Sequence, residues 1–239
     1  MKYIYGPLHS RRLGSSLGIN LTPFKTCSFD CVYCQLGRTT VKTIERKEYV
    51  NTVEILEELK LWLQNNSQDA KSVEYVTLSG AGEPTLNINA GSLIAQIKKI
   101  TAIPVAVITN SGSLSDPVLR REILSADVIV STLNTADQAV FEALNRPCEG
   151  IKIENVIQGL ADLRKEYKGR ILLEVMIVKD INDSLEGIRK LSEAVEMINP
   201  NAVHLNSPVR VPDDSRVQSA DEKRLKKIQN ILGDRCEIV

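Results

Sequence analysis

Leu17-Gly-Ile-Asn-Leu21 leads through Thr22-Pro-Phe-Lys-Thr26 into Cys27-Ser-Phe-Asp-Cys31-Val-Tyr-Cys34. The first run is short and apolar and reads as a β-strand. The three cysteines, spaced C-x3-C-x2-C, lie in the loop that leaves its C-terminal end. Three thiolates this close can share one iron–sulfur cluster. A [4Fe–4S] cluster ordinarily takes four cysteines, and no fourth lies nearby in the sequence, so one iron is left open to bind and react. The competing readings are a zinc knuckle or buried free thiols. Structural zinc wants four ligands, commonly in two separated pairs, and neither His9 nor His204 has a zinc-finger spacing to this loop. Three cysteines within eight residues are also too concentrated for chance core packing.

Outward from this loop the chain alternates. Residues 1–15, rich in Gly, Pro, Ser and Arg, read as an extended lead-in, and residues 16–239 as one domain. Asn51, with Glu54 three positions on, opens a helix with a broad apolar face. Strands follow at Val73–Leu78, Pro104–Ile108, Asp127–Val130, Ile171–Val178 and Val203–Leu205. Helices separate them, with starts signalled by Asp116-Pro117, by Asp183 with Glu186 and by Ser219 with Glu222. Six nearly all-apolar strands alternating with helices specify a parallel sheet covered by helices. That pattern suits an incomplete (β/α)6 barrel of the TIM type and equally permits an open doubly wound sheet. In either fold, functional groups collect on loops leaving the C-terminal strand ends. The unusual residues stand there: Cys27 to Cys34, Gly80 to Pro84, Thr109 to Gly112, Ser131 to Asn134, Asn182 and Asn206.

The 239 residues suffice for one domain with a substantial core. Thirty basic and thirty acidic side chains cancel, so net charge announces no nucleic-acid or anionic-membrane partner. No apolar run is long enough to span a bilayer, and the N-terminus is not a secretion signal. Five cysteines, three of them clustered, are not a disulfide framework, which places the protein in a reducing cytoplasm.

The cysteine spacing, with aromatic Tyr33 just before the last cysteine, resembles the radical S-adenosylmethionine (radical SAM) superfamily. Tyr5-Gly-Pro-Leu-His-Ser-Arg-Arg-Leu-Gly and Lys25-Thr-Cys to Thr39-Thr40 resemble one subgroup of it. These are short prokaryotic proteins called Fe–S oxidoreductases, grouped distantly with wyosine-type tRNA-modifying enzymes. The wyosine enzymes carry a tryptophan and an arginine after the last cysteine, whereas Gln35-Leu36 stand here. The resemblance implies a single-domain α/β fold, the partial (β/α)6 barrel. It also implies a [4Fe–4S] cluster on Cys27, Cys31 and Cys34, with SAM chelated at the open iron. One electron would cleave SAM to a 5′-deoxyadenosyl radical, which abstracts hydrogen from a substrate not identified. The partners implied are a one-electron reductase of flavodoxin or ferredoxin type and a tRNA, protein or small-molecule substrate.

The same resemblance assigns side chains to SAM. Tyr33 would lie against the adenine, or serve as a core aromatic beneath the loop. Gly80-Ala-Gly82-Glu83-Pro84 is similar to the family's Gly-Gly-Glu-Pro motif, which receives the SAM amino group; a tight strand-to-helix turn is the bland alternative. Thr109-Asn110 and Ser131-Thr-Leu-Asn134 resemble segments facing the SAM carboxylate and ribose, with Asn134 replacing an aspartate. Ser and Thr here could instead cap helices. Glu174 and Met176 share one face of their strand; Met176 joins the SAM set, and Glu174 is either solvated or points into the cavity. Asn182, in Lys179-Asp-Ile-Asn-Asp183, resembles another family segment. Arg11, Arg12, Glu174, Asn182, Asn206 and Arg210 are the candidates for substrate, with Arg146 held in reserve. Cys148 and Cys236 read as structural. From a different class, a non-catalytic Fe–S electron carrier or sensor stays open.

Overall fold

The computed structural model describes residues 1–208 and 217–239. Its strands are β1 (Ile4–Ser10), β2 (Gly14–Asn20), β3 (Thr26–Cys27), β4 (Val41–Lys42), β5 (Tyr75–Ser79), β6 (Val105–Thr109), β7 (Val128–Thr132), β8 (Arg170–Met176), β9 (Ala202–Asn206) and β10 (Cys236–Ile238). Eight of them form one sheet in the order β1-β2-β5-β6-β7-β8-β9-β10, parallel throughout except for β1, which is antiparallel to β2. β3 and β4 pair separately beside the cysteine loop. The helices are α1 (Thr52–Asn65), α2 (Ser67–Ala70), α3 (Ala90–Ile100), α4 (Pro117–Ile123), α5 (Gln138–Asn145), α6 (Ile153–Glu166), α7 (Leu185–Ile198) and α8 (Glu222–Leu232). The six expected strands are present within one or two residues at most ends. The lead-in proves to be a strand of the same sheet, hairpinned onto β2. A seventh parallel strand, β10, is invisible to pattern reading because Cys236-Glu-Ile238 is too short to carry a period.

Strand alternation sorts the side chains into two layers. Val76, Leu78, Val105, Val107, Ile129, Ile171, Leu173, Val203 and Leu205 face the helices and pack with Ile55, Leu59, Leu93 and Ile97. Each such side chain, removed from water, contributes about 1.5–3 kcal/mol. The opposite face is concave. There Ala106, Val128, Val130 and Leu172 close around Leu13, from the hairpin turn, which is 4% exposed. The two residues before it reach across to the far edge. Arg12 Nη1 meets Glu174 Oε2 at 2.7 Å, and Arg11 donates to Asn206 Oδ1 at 3.0 Å and to the Val239 carbonyl at 2.8 Å. Contacts between one sheet edge and strands near the other require the sheet to curl into a partial barrel, with the hairpin turn as its floor.

Helix starts correct three expected capping pairs. Asn51 does cap α1, its Oδ1 accepting the Val53 N–H at 2.9 Å, but Glu54 binds Lys2 and the Tyr3 hydroxyl instead of closing a box. Ser184, not Asp183, caps α7, while Asp183 accepts from Arg224 at 3.2 Å. Asp221, not Ser219, caps α8. In the last two cases an oxygen one or two residues away competes successfully for the same N–H groups. No helix among the described residues is long and apolar enough to cross a membrane.

Candidate functional site

The cysteine loop is fastened to the end of α5. A helix ends with carbonyls that have no partner of their own, and the loop supplies the missing donors. Asp30 N–H reaches the Asn145 carbonyl at 3.1 Å and Val32 N–H the Leu144 carbonyl at 3.0 Å. Phe29, 2% exposed, anchors the loop edge-on against Phe141 with ring centroids 5.4 Å apart. From the other side the loop after β5 presses on the residue before Cys27. Glu83 N–H donates to the Thr26 carbonyl at 3.0 Å, and a Cβ on Gly82 would stand 2.0 Å from that oxygen. Glycine is therefore required at position 82 by close approach.

Each of the three sulfurs receives an N–H. Cys27 Sγ accepts from Asn110 Nδ2 at 3.4 Å and from Phe29 N at 3.5 Å, Cys31 Sγ from Asn145 Nδ2 at 3.3 Å, and Cys34 Sγ from Lys25 Nζ at 3.1 Å. Burial pushes the Cys27 thiol up to about 12, with the nearby Glu83 charge adding to it, and burial pushes Cys31 up to about 11. As free thiols these two stay protonated near neutrality. A metal must displace the protons, and the donors already aimed at the sulfurs are what a thiolate-bound iron–sulfur group uses. The donor set fits such a group.

Behind the loop runs a chain of amides. Asn134 Nδ2 donates to the Tyr33 hydroxyl at 2.7 Å, and its Oδ1 accepts the Met176 N–H at 2.8 Å. Asn145 Nδ2 also reaches the Tyr33 hydroxyl, at 3.2 Å. Burial raises the Tyr33 phenol well above its ordinary value, so it stays neutral. Asparagine at 134 donates to the phenol oxygen, where an aspartate carboxylate could only accept the phenol hydrogen. Asn182 is fully engaged within the fold: its Oδ1 accepts from Val178 N at 2.7 Å and its Nδ2 donates to the Asn134 and Met176 carbonyls, both at 2.9 Å. That places its amide away from the cavity, as a brace between β7 and β8.

Glu83 is 2% exposed and accepts four hydrogen bonds: from Thr85 N and Oγ1, Thr109 Oγ1 and Asn110 N, at 2.7–3.1 Å. It caps the 3-10 turn Pro84–Leu86 and ties it to the end of β6. Burial raises its carboxyl, the donors partly offsetting this. A raised folded value means the folded chain holds this proton more tightly than the unfolded chain. The stability it contributes is then largest below the ordinary carboxylate value and declines as pH rises through the raised one. Glu83→Gln should cost about 1–3 kcal/mol near pH 5 through mismatched donors. On the same grounds the cost shrinks toward neutral pH. Urea denaturation at both values checks the sign; a cost that grows with pH would refute it.

Ser131 is fully buried with its hydroxyl unpartnered, on the helix side of β7 between Ile129 and Leu133. The concave side holds a cavity of about 880 Å³, lined in part by Tyr5, Arg11, Arg12, Thr77, Ser79 and Gln35. Of the expected substrate residues, Arg11 and Arg12 line this cavity, and Glu174 and Asn206 are their buried partners, bonded to Arg12 and Arg11 respectively. Arg210 lies outside the described residues. Arg146 closes α5 with a left-handed residue, its guanidinium 3.9 Å from Asp30.

A family profile described as the radical SAM superfamily matches residues 21–192. The chain belongs to the radical SAM superfamily. It is 36% identical over 236 residues to a UPF0026 protein of Methanocaldococcus jannaschii, covering 98% of this chain and 72% of that one. It is also 36% identical over 237 residues to a Brachyspira hyodysenteriae protein called GTPase Obg, where it spans 99% of this chain but only 34% of the relative's length. Among solved structures, a radical SAM methyltransferase from Sphaerobacter thermophilus superposes with TM-score 0.73 at 15% identity, over 94% of this chain and 65% of that one. The radical SAM fold with its parallel, helix-covered sheet is thereby shown, and the protein is an enzyme of that superfamily.

Some residues around the cysteine loop escape a reading of the sequence. Asn145 and Asn20 are ordinary asparagines at element ends; Asn20 Oδ1 accepts Ala81 N–H at 2.8 Å and so shapes the loop after β5. Cys148 stands isolated in the sequence, yet its N–H donates to the Ser28 carbonyl at 2.8 Å, which sets it beside the cysteine loop. For Lys25, two residues before Cys27, position is the one available signal.

Proposed function

We propose that Cys27, Cys31 and Cys34 would hold a [4Fe–4S] cluster and that SAM would bind at its open iron. The observation supporting this reading is that N–H donors from three separate segments, Lys25, Asn110 and Asn145, converge on the sulfurs of one short loop beside the loops after β5 and β6. When bound, the pair supplies one-electron cleavage of SAM to a 5′-deoxyadenosyl radical that takes hydrogen from a substrate.

The chain's own residues bind, orient and enclose. Gly82, Pro84, Asn110, Tyr33 and Met176 would line the SAM side. Glu83, Thr109, Ser131 and Asn134, buried to 3% exposure or less, would act from behind: Glu83 fixes the Asn110 backbone, and Asn134 fixes the Tyr33 ring. The substrate would occupy the 880 Å³ cavity, with Arg11 and Arg12 on its polar wall, held by Asn206 and Glu174, and a flavodoxin- or ferredoxin-type protein would deliver the electron.

Anaerobic reconstitution with iron and sulfide, reduction by dithionite and addition of SAM should yield 5′-deoxyadenosine. An intact cluster that forms none would favour a carrier or sensor instead. Protein that binds zinc stoichiometrically and no iron would end the reading.

A further inference from the structure

Lys25 is 3% exposed, and its backbone sits at φ 56°, a left-handed conformation that is strained for a non-glycine residue. Backbone bonds on both sides maintain it. Lys25 N–H donates to the Ala81 carbonyl at 2.7 Å, and the Lys25 carbonyl accepts from Thr40 N at 3.2 Å and Val41 N at 3.1 Å. The side chain is thereby aimed at the cysteine loop, where Nζ donates to Cys34 Sγ at 3.1 Å. Among the described residues no carboxylate stands within ion-pair distance of this ammonium. The loop's own carboxylate, Asp30, is turned to Arg38 and Arg146, each at 3.9 Å.

A buried cation without a counter-charge is costly. The group it touches is a cysteine sulfur, and a thiolate in an anionic cluster would provide that counter-charge. We infer that Lys25 is a positioning residue of the cluster, its ammonium holding Cys34 Sγ in place and raising the reduction potential by its charge. This rests on the reading of the three cysteines as cluster ligands. The physical reason is simple. One-electron reduction adds a negative charge to the cluster, and a fixed cation hydrogen-bonded to a ligand sulfur in a water-poor setting favours the reduced form. A neutral residue of the same length would leave the cluster harder to reduce.

The test compares anaerobically reconstituted wild-type, Lys25→Met and Lys25→Arg proteins by EPR-monitored redox titration without SAM. At the wild-type midpoint, the reduced-to-oxidised ratio should fall about tenfold in Lys25→Met, equivalent to about 59 mV for a one-electron couple. In Lys25→Arg it should stay within about threefold, since the charge is kept. Equal midpoints in wild-type and Lys25→Met at equal iron content would overturn the inference. Should Lys25→Met fail to retain iron, wild-type protein labelled with ¹⁵N-lysine decides. Its dithionite-reduced cluster should show a ¹⁵N coupling by pulsed EPR that disappears in labelled Lys25→Arg, and no coupling in wild-type would overturn the inference. Wild-type protein that takes up no iron would instead remove the ligand reading beneath it.

Discussion

Cys27→Ala, Cys31→Ala and Cys34→Ala should each abolish 5′-deoxyadenosine formation if the three sulfurs hold the proposed cluster, by more than about a hundredfold, the upper end of what even outer partners of a metal site cost. The site has no spare sulfur in the loop, so a cluster deprived of one ligand has only two protein bonds left. The fold should barely notice. All three sulfurs belong to half-buried residues, and losing one N–H···S contact, or two at Cys27, removes roughly 1–2 kcal/mol, which thermal unfolding of the cluster-free variants will measure. Cys148→Ala is the informative companion. Its backbone lies against Ser28, but its side chain is half-buried with Lys42 as its charged neighbour. It should retain both iron and SAM cleavage. Loss of the cluster in Cys148→Ala, with any loop variant still active, would transfer the ligand role.

Glu174→Ala should destabilise the protein by about 2–4 kcal/mol. The range for breaking a buried pair is roughly 3–5 kcal/mol, discounted because the Arg12 side chain is 28% exposed against 10% for Glu174. What is lost is more than the attraction: Arg12 would remain inside the barrel with no carboxylate beside it. Glu174→Leu combined with Arg12→Met should therefore lie closer to wild-type than Glu174→Ala does, because neither charge is left alone. Chemical denaturation of the set decides. If Glu174→Ala is as stable as wild-type, Arg12 has another partner and the two side chains are free to serve substrate alone.

Legibility of the fold follows the size of the hydrophobic signal. β5 to β9 are each a run of mostly buried residues and can be read directly. The hairpin strand Ile4–Ser10 cannot, because its Gly6, Pro7, His9 and Ser10 have no strand period and pairing with β2 is a tertiary effect. The cysteines are legible because three identical soft ligands at fixed, close spacing suit a shared metal group and little else. Glu83 is legible as a feature but not in its role, since nothing in Gly-Ala-Gly-Glu-Pro reveals that Thr109 and Asn110 will surround it. Asn134 and Asn182 stand out by motif position, whereas the most distant partner of each lies 101 and 48 residues away. Hydrogen bonds of that range leave no local trace.

The hairpin floor also has a consequence in time. During synthesis Arg11, Arg12 and Leu13 leave the ribosome early, while Glu174, Asn206 and Val239 follow 162, 195 and 228 positions behind the arginines that bind them. Until those strands arrive, two guanidinium groups and a leucine have nowhere to settle. Such long-range closures are slow to form, so ring closure is expected as the late event of maturation. A nascent chain halted before β9 would leave Arg11 without Asn206 and the trough unclosed on that side.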